Sequence, residues 1–510
     1  MTSHIVVIGA GSAGSIISRR LVDAGHKVTL LEAGNHDINP AIHSIHRMGE
    51  LWHTTEDWDY YTVPQPNANN RRLHLPRGRV LGGSHALNAT IWVRGSHADY
   101  DRWADMGAEG WSWSDVEPYF VKIENYEGPE AMEGDERGKD GLLDVIADYD
   151  LSPVHQAIQD SALEAGLDLN VDYNSGTSEG FSKMQVNLRN GKRFNTWMAY
   201  AKPILDNENF DVITGAHVSE LIIESSVAVG VRYLRNNELV ELRADRVVLA
   251  AGALDSPALL MRSGIGPAEH LEDVGVNVVL DAPGVGENLH DHYLVPVIAE
   301  ATEREIEPPS EGISVAQTHW FAYSRNDIES PDTQPLNFAV PMYQDGMSGP
   351  SNAFTLQAGV VGTRSRGTLR LSGPNLTDPI QIDLGVLTDK ADEDAMLFSL
   401  RQCREIIRTG TLTNDWGAKE IYPGEEVQSE EAEREYIRNT IITYHHQVGT
   451  CRMGVDELAP VDPKLRLRGI ENIYVADASV MPVVPSGNTN APTCMIAERA
   501  ADFIIEDLGA

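Results

Sequence analysis

The stretch His4-Ile5-Val6-Val7-Ile8-Gly9-Ala10-Gly11-Ser12-Ala13-Gly14 decides the fold. Its first residues are apolar and β-branched, as in a strand buried on both faces, and the glycines end it. Ala13, Ile16, Ile17 and Leu21 recur at helical spacing, Gly25 stops the helix, and Val28-Thr29-Leu30-Leu31-Glu32 reads as a second strand closed by an acid. A strand, glycine turn, helix and strand in this order hold a dinucleotide. Gly9 allows the tight turn, Gly11 lets backbone approach a pyrophosphate, and Gly14 lets helix and strand pack closely. The helix N-terminus at Ser12 and Ala13 faces the phosphates. Glu32, about 20 residues beyond the first glycine, is placed to accept hydrogen bonds from the adenosine ribose hydroxyls, with Ala33 beside it. The motif alone leaves NAD and FAD both open, and its plain alternative is a glycine-rich turn in an ordinary α/β domain.

At 510 residues the chain exceeds one simple core and suggests two or three structural units. Lys and Arg number 40 against 76 Asp and Glu, a formal net charge of −36, and such a field repels nucleic-acid phosphates and anionic membranes. Acid-rich Glu425 to Glu435 reads as a solvated face. No apolar stretch is long enough to span a bilayer, and the first buried strand begins at His4 without room for a signal peptide, so the expected location is cytoplasmic. Cys403, Cys451 and Cys494 are too few and scattered for a disulfide framework and read as buried small apolar residues.

A second glycine segment, Arg77-Gly78-Arg79-Val80-Leu81-Gly82-Gly83-Ser84, is expected to run into a helix over 86–94. Arg246 to Gly252 reads as another buried strand followed by a helix over 256–263, and Ile473 to Ala476 as the last sheet element. A closing helix follows, with Ile496, Ala500, Phe503 and Ile504 on its buried face. Phe354 to Val360 and Gly367 to Leu371 alternate as half-buried antiparallel strands do. The expected fold class is therefore α/β. A Rossmann-like domain over 1–145, 186–296 and 444–510 is interleaved with a discontinuous α+β substrate domain over 146–185 and 297–443 that contains an antiparallel sheet.

Several long motifs stand in one order: Gly9 to Gly14 with Glu32-Ala33-Gly34; Gly78 to Ser84 with Asn88; Gly252-Ala253-Leu254-Asp255-Ser256-Pro257 through Pro267; Pro283 to Leu289; and Val475-Ala476-Asp477-Ala478-Ser479-Val480-Met481-Pro482. Over nearly its whole length the chain resembles the glucose-methanol-choline (GMC) family of flavin oxidoreductases. The resemblance implies FAD rather than NAD, a two-domain fold with an antiparallel sheet over the flavin, and oxidation of an alcohol to a carbonyl. It implies cofactor contacts at Arg79, Gly82, Gly83, Ser84, Asn88, Asp477 and Ala478. Asn490, Pro492 and Thr493 stand where the last helix begins, so its N-terminal amides can stabilise charge on the reduced flavin. Val218 is either a backbone contact to the adenine or a plain strand residue.

Within Tyr444-His445-His446-Gln447-Val448-Gly449-Thr450 the family's active-site histidine falls on His446, and the second family position falls on Asn488. A histidine is largely neutral near pH 7 and can take the hydroxyl proton, whereas an amide hydrogen-bonds the alcohol oxygen without acting as a base. His445 is left between pocket wall and structural support. Neither His445 with His446 nor His290 with His292 has metal-ligand spacing, and no metal is expected. Some members attach flavin through a histidine one residue before the asparagine matching Asn88. That place is Leu87, so non-covalent FAD is expected, with His85 near the flavin edge or the pocket.

A pocket edged by Gln317, His319, His445 and Asn488 suits a neutral hydroxyl compound: a sugar, a glycoside or an aryl alcohol. The alternatives are choline, for which Glu311 is the nearest carboxylate, and a hydroxynitrile lyase that carries FAD without redox turnover. A nicotinamide-dependent dehydrogenase is the third. Oxygen and other electron acceptors both stay open.

Overall fold

The computed structural model describes residues 2–131, 135–308 and 312–509. The opening residues form the strand His4–Ile8 and the helix Ser12–Asp23, and Gly25 leaves the helix at φ +86°. His4–Ile8 is the middle of a five-stranded parallel sheet in the order Phe210–Ile213, Lys27–Leu31, His4–Ile8, Arg246–Leu249, Ile473–Val475. Val6, Val7 and Val28 are fully buried, which explains why these strands read as continuous apolar runs. The helices Ser12–Asp23 and Asn490–Asp507 pack on each other, so the two ends of the chain close one domain. Gly9, Glu32, Ala250 and Asp477 all follow the carboxyl ends of parallel strands, where ligands bind in open α/β sheets.

The second sheet has seven strands, antiparallel in the order Ala418–Tyr422, Tyr293–Ala301, Ala353–Val360, Leu336–Phe338, Ala316–Phe321, Gly180–Lys183, with Ile442–Thr443 also on Tyr293–Ala301. The helix Lys390–Ile407 packs against Ala353–Val360. Leu336 lies opposite Gln357 and Leu294 opposite Gly359, so Leu294, Leu336, Phe338 and Gln357 share the other face, which overhangs the parallel sheet.

Two expectations need correcting. Residues 86–94 are not helical: a short turn of helix, Gly83–Ala86, is followed by an irregular segment with Thr90 at φ +60°. The strand Ala353–Val360 is buried along its whole length, because helix and overhang cover both faces. The expected domain boundary at 296 falls inside the strand Tyr293–Ala301, which pairs with Thr443 and Ile442 from its first residues. No described helix is long and apolar enough to cross a membrane.

The segment 146–185 is fastened to the first domain by a buried ion network. Arg94 Nη2 lies 2.7 Å and Arg137 Nε 2.9 Å from Glu124, Arg137 Nη1 lies 2.7 Å from Asp172, and Gln185 donates to Asp172. Burial opposes the Glu124 charge, yet Arg137 and Arg94 prevail and hold its pKa at about 2. This stabilisation is present above the ordinary carboxyl range and is lost as pH falls through that range toward 2. Glu124→Leu leaves two buried guanidiniums short of a counter-charge and is expected to destabilise the fold by about 3–5 kcal/mol, read as a lowered thermal midpoint at pH 7. An unchanged midpoint contradicts the role of this network.

Candidate active site

One cleft of about 2090 Å³, counting its open mouth, runs from the glycine turn to the overhanging sheet. At one end stand Gly9, Gly11, Ser12 and Ala13. A Cβ on Gly14 would lie 1.9 Å from the Gly9 carbonyl oxygen, and one on Gly83, at φ +53°, would lie 2.6 Å from the Gly11 Cα. The two glycine segments therefore touch as bare backbone, which no other residue type permits. Gly83 and Ser84 border the cleft with Asn88 and Leu87. Gly14, Gly82 and Pro492 do not: Gly14 and Gly82 serve the close packing behind the cleft, and Pro492 sits in the first turn of the last helix. Arg79 also stands off, with its guanidinium 4.7 Å above the Trp58 ring.

Glu32 and Ala33 lie on the cleft wall. Glu32 accepts from Ala10 N at 2.9 Å and Gly34 N at 2.8 Å, which leaves lone pairs on both oxygens for further donors. Burial pushes its pKa up to about 7. Further along are Ala216, His217 and Val218, with Trp58 and Arg262. Asp477 accepts from Gly252 N at 2.8 Å, and Ala478 follows it on the wall. Asn490 accepts from Ser12 Oγ at 2.6 Å and, with Thr493, brings the N-terminus of the last helix to the cleft. His85 lies behind, its ring 3.3 Å from Asn490 Nδ2.

At the other end are His445, His446 and Asn488. Asn488 follows Gly487, whose φ of +127° and 2.5 Å approach of a built Cβ to Val93 leave room for glycine alone. Asn488 Nδ2 lies 3.2 Å from His446 Nε2, and Asn488 Oδ1 accepts from Gln334 Nε2 at 3.0 Å. His446 Nδ1 lies 3.0 Å from His292 Nδ1, and Tyr444 stacks on its ring at 4.4 Å. Burial, then His292, His445 and Arg77, push the His446 pKa well below the usual histidine range, so the ring is neutral at pH 7. The loop is held by Asp291: one carboxylate oxygen accepts from His446 N at 2.7 Å and His292 N at 2.8 Å, and the other from Thr443 Oγ1 and Gln447 Nε2.

His445 adopts φ +67°, gives its carbonyl to Arg77 at 2.6 Å and meets the Trp52 ring edge-on at 5.5 Å, which makes it both wall and support. Two expected pocket residues are corrected. Gln317 points away from the cleft and spends its amide on Ser152 N at 2.8 Å and Ser314 O at 3.0 Å, because the strand register is irregular between Ala316 and Thr318. His319 stands one layer behind, 3.0 Å from Gln334. Gln334, Asp291 and His292 are the residues that sequence reasoning missed.

His290 is engaged otherwise: Nδ1 donates to Asn288 O at 2.6 Å and Nε2 accepts from Val484 N at 2.9 Å. Among the described residues one cluster, His53, Asp59 and His74, brings ligand atoms together. Its imidazoles stack at 4.2 Å and 24°, so their in-plane lone pairs do not converge on one ion.

The family models for GMC oxidoreductase match residues 3–294 and 363–497. The chain belongs to the GMC oxidoreductases. An "Oxygen-dependent choline dehydrogenase" of Rhizobium johnstonii is 35% identical over 99% of this chain and 96% of its own. Pyridoxine 4-oxidase from Mesorbium loti superposes with a TM-score of 0.92 at 32% identity, covering 98% of this chain and 99% of its own. A fungal aryl-alcohol oxidase shares the fold, with a TM-score of 0.85 at 22% identity over both whole chains. This GMC oxidoreductase is FAD-dependent and acts on a CH–OH group of a small-molecule alcohol. The FAD fits the cleft's own features: a bare-backbone cradle, a carboxylate with free lone pairs, and a helix N-terminus.

If the adenosine ribose hydroxyls donate to Glu32, they favour its ionised form, and FAD bound there would lower the Glu32 pKa from about 7. The expected affinity of the flavin-stripped protein for FAD is level above pH 7 and falls by up to about tenfold per pH unit below it. Glu32→Gln removes this slope and weakens binding roughly tenfold or more at pH 8. Flavin fluorescence titrations from pH 5.5 to 8.5 measure both effects, and an unchanged slope in the variant contradicts the assignment.

Proposed function

We propose that the protein oxidises an uncharged alcohol, an aryl alcohol best of all, with His446 as the base and Asn488 as its partner. The observation that supports this reading is the pairing of a neutral, buried imidazole with an amide N–H at the inner end of an apolar pocket. Gln334 donates to Asn488 Oδ1, so Asn488 presents Nδ2–H to His446 Nε2, which must hold a lone pair. An alcohol hydroxyl placed between them donates to Nε2 and accepts from Nδ2. His446 Nε2 then takes the hydroxyl proton, and Asn488 stabilises the charge growing on oxygen. Bound FAD supplies the hydride acceptor. Asn490 and Thr493 bring a partly positive helix end to the cleft, where added negative charge is stabilised. Leu87 has no nucleophile, which supports FAD held without a covalent bond at that position.

The walls favour the aryl alcohol over the other neutral compounds. Trp52, Phe338, Tyr444, Met48, Met342 and Leu336 surround the histidine end, whereas a sugar or glycoside needs several polar partners for its hydroxyls. Choline is the second reading, supported by the curated relatives. Against it, the carboxylates on the cleft wall, Glu32, Asp255 and Asp477, follow the parallel strands at the dinucleotide end. Glu311, the carboxylate considered for choline, lies outside the described residues. The lyase reading uses the same base but leaves the flavin oxidised throughout.

Anaerobic mixing with benzyl alcohol or pyridoxine is expected to bleach the flavin, with choline and glucose far slower. His446→Ala is expected to slow the bleaching by about two to four orders of magnitude. Bleaching fastest with choline replaces the substrate assignment, and a parent-like rate in the variant removes His446 from the mechanism. Recolouring on admission of air marks an oxidase.

A further inference from the structure

The useful form of His446 is one of two neutral tautomers. Only the form with its proton on Nδ1 leaves Nε2 free to take a proton, and both forms cost little to interchange in water. In the folded protein the ring is trapped between two fixed partners. On one side Asn488 Nδ2 points at Nε2. On the other, His292 Nδ1 faces His446 Nδ1 at 3.0 Å with the two rings at 90°.

Two nitrogens facing each other share one proton. If His292 carried it, His446 would be protonated on Nε2, and that N–H would oppose the N–H of Asn488. If His446 carries it, His292 Nδ1 accepts and every contact in the row from Gln334 to His292 is satisfied. The His292 proton is then on Nε2, which is buried without a hydrogen-bond partner, while the Val361 backbone near the ring favours its protonation. His292 is fully buried and cannot turn to water. Its backbone and that of His446 hang from the same Asp291 oxygen, which sets the distance between the rings.

We propose that His292 is the positioning residue that keeps the His446 proton on Nδ1 and so leaves Nε2 as the base. The proposal rests on the reading of His446 given above. His292 plays the part that a carboxylate plays toward the histidine of a serine-protease triad, with a neutral ring in place of the charge. The groups facing His446 are His292, Tyr444 and Asn488 on its ring, Asp291 on its backbone, and the nearby His445 and Arg77.

The test uses the FAD-loaded protein and two variants. His292→Leu fills the space without an acceptor. His292→Asn returns an acceptor oxygen on Cγ, where Nδ1 stood. Histidine ¹⁵N shifts of the labelled protein report the tautomer directly, with the His446 signal found by its loss in His446→Ala. The expected result is an Nδ1–H ring in the parent and in His292→Asn, and an Nε2–H or mixed ring in His292→Leu. In step with this, anaerobic bleaching by the best alcohol slows by about a hundredfold in His292→Leu with KM altered little, and recovers to within about tenfold in His292→Asn. An unchanged tautomer in His292→Leu overturns the proposal, as does an equal loss of rate in both variants. If no alcohol bleaches the parent, the functional reading fails, while the shifts still decide what His292 does.

Discussion

A single buried carboxylate, Asp291, ties the loop His290–His292 to the loop 443–447. Four donors converge on it: two backbone amides, a hydroxyl and a side-chain amide. Burial still pushes its pKa up to about 6, against the pull of these donors. The two loops come from distant parts of the chain, and Asp291 acts together with backbone hydrogen bonds from Tyr444 N to His292 O at 2.9 Å and from Val448 N to His290 O at 3.0 Å to bring His292 and His446 within hydrogen-bond reach. The juxtaposition of His292 and His446 is thus a tertiary product, supported by the strand Tyr293–Ala301 that begins directly after His292 and pairs with Ile442–Thr443.

That strand also explains why the two domains are interleaved. The parallel sheet needs both ends of the chain, and the antiparallel sheet needs its middle, so each crossing between them delivers a loop to the shared cleft. The dinucleotide end is built from backbone: glycines, strand termini and a helix N-terminus. The histidine end is built from side chains held by neighbours: Asn488 by Gln334, His446 by His292 and Asp291, His445 by Arg77 and Trp52. Backbone recognition suits an invariant cofactor, and side-chain walls suit a substrate that differs between relatives.

This division sets what could be read from the residues alone. The placement of Gly9, Gly11 and Glu32 along the cleft, with Gly14 packed behind it, was legible because a turn and an acid at fixed spacing follow from local geometry. That His446 and Asn488 stand at its other end was legible through family motifs. Gln317 was misplaced because the direction of a strand residue depends on register, and the register is irregular at Ala316 to Thr318. His319 pairs with Leu336, and Gln334, which no local pattern announces, lies 3.0 Å from its ring. The helix expected after Ala86 failed since Arg193 draws the carbonyls of His85 and Asn88 to itself, a contact invisible in local sequence. Gln334, Asp291 and His292 carry no periodic signal. The only hint was the polar run Asn288 to His292 at the mouth of a buried strand.

The proposed chemistry requires hydride transfer from the carbon bearing the hydroxyl while His446 takes the proton. The most direct measurement compares anaerobic stopped-flow bleaching of the flavin by benzyl alcohol and by its α-dideuterated form, both saturating. The proposed chemistry predicts full bleaching by each and a slower rate with deuterium. Equal rates, or a flavin that stays oxidised while the alcohol is consumed, would contradict it.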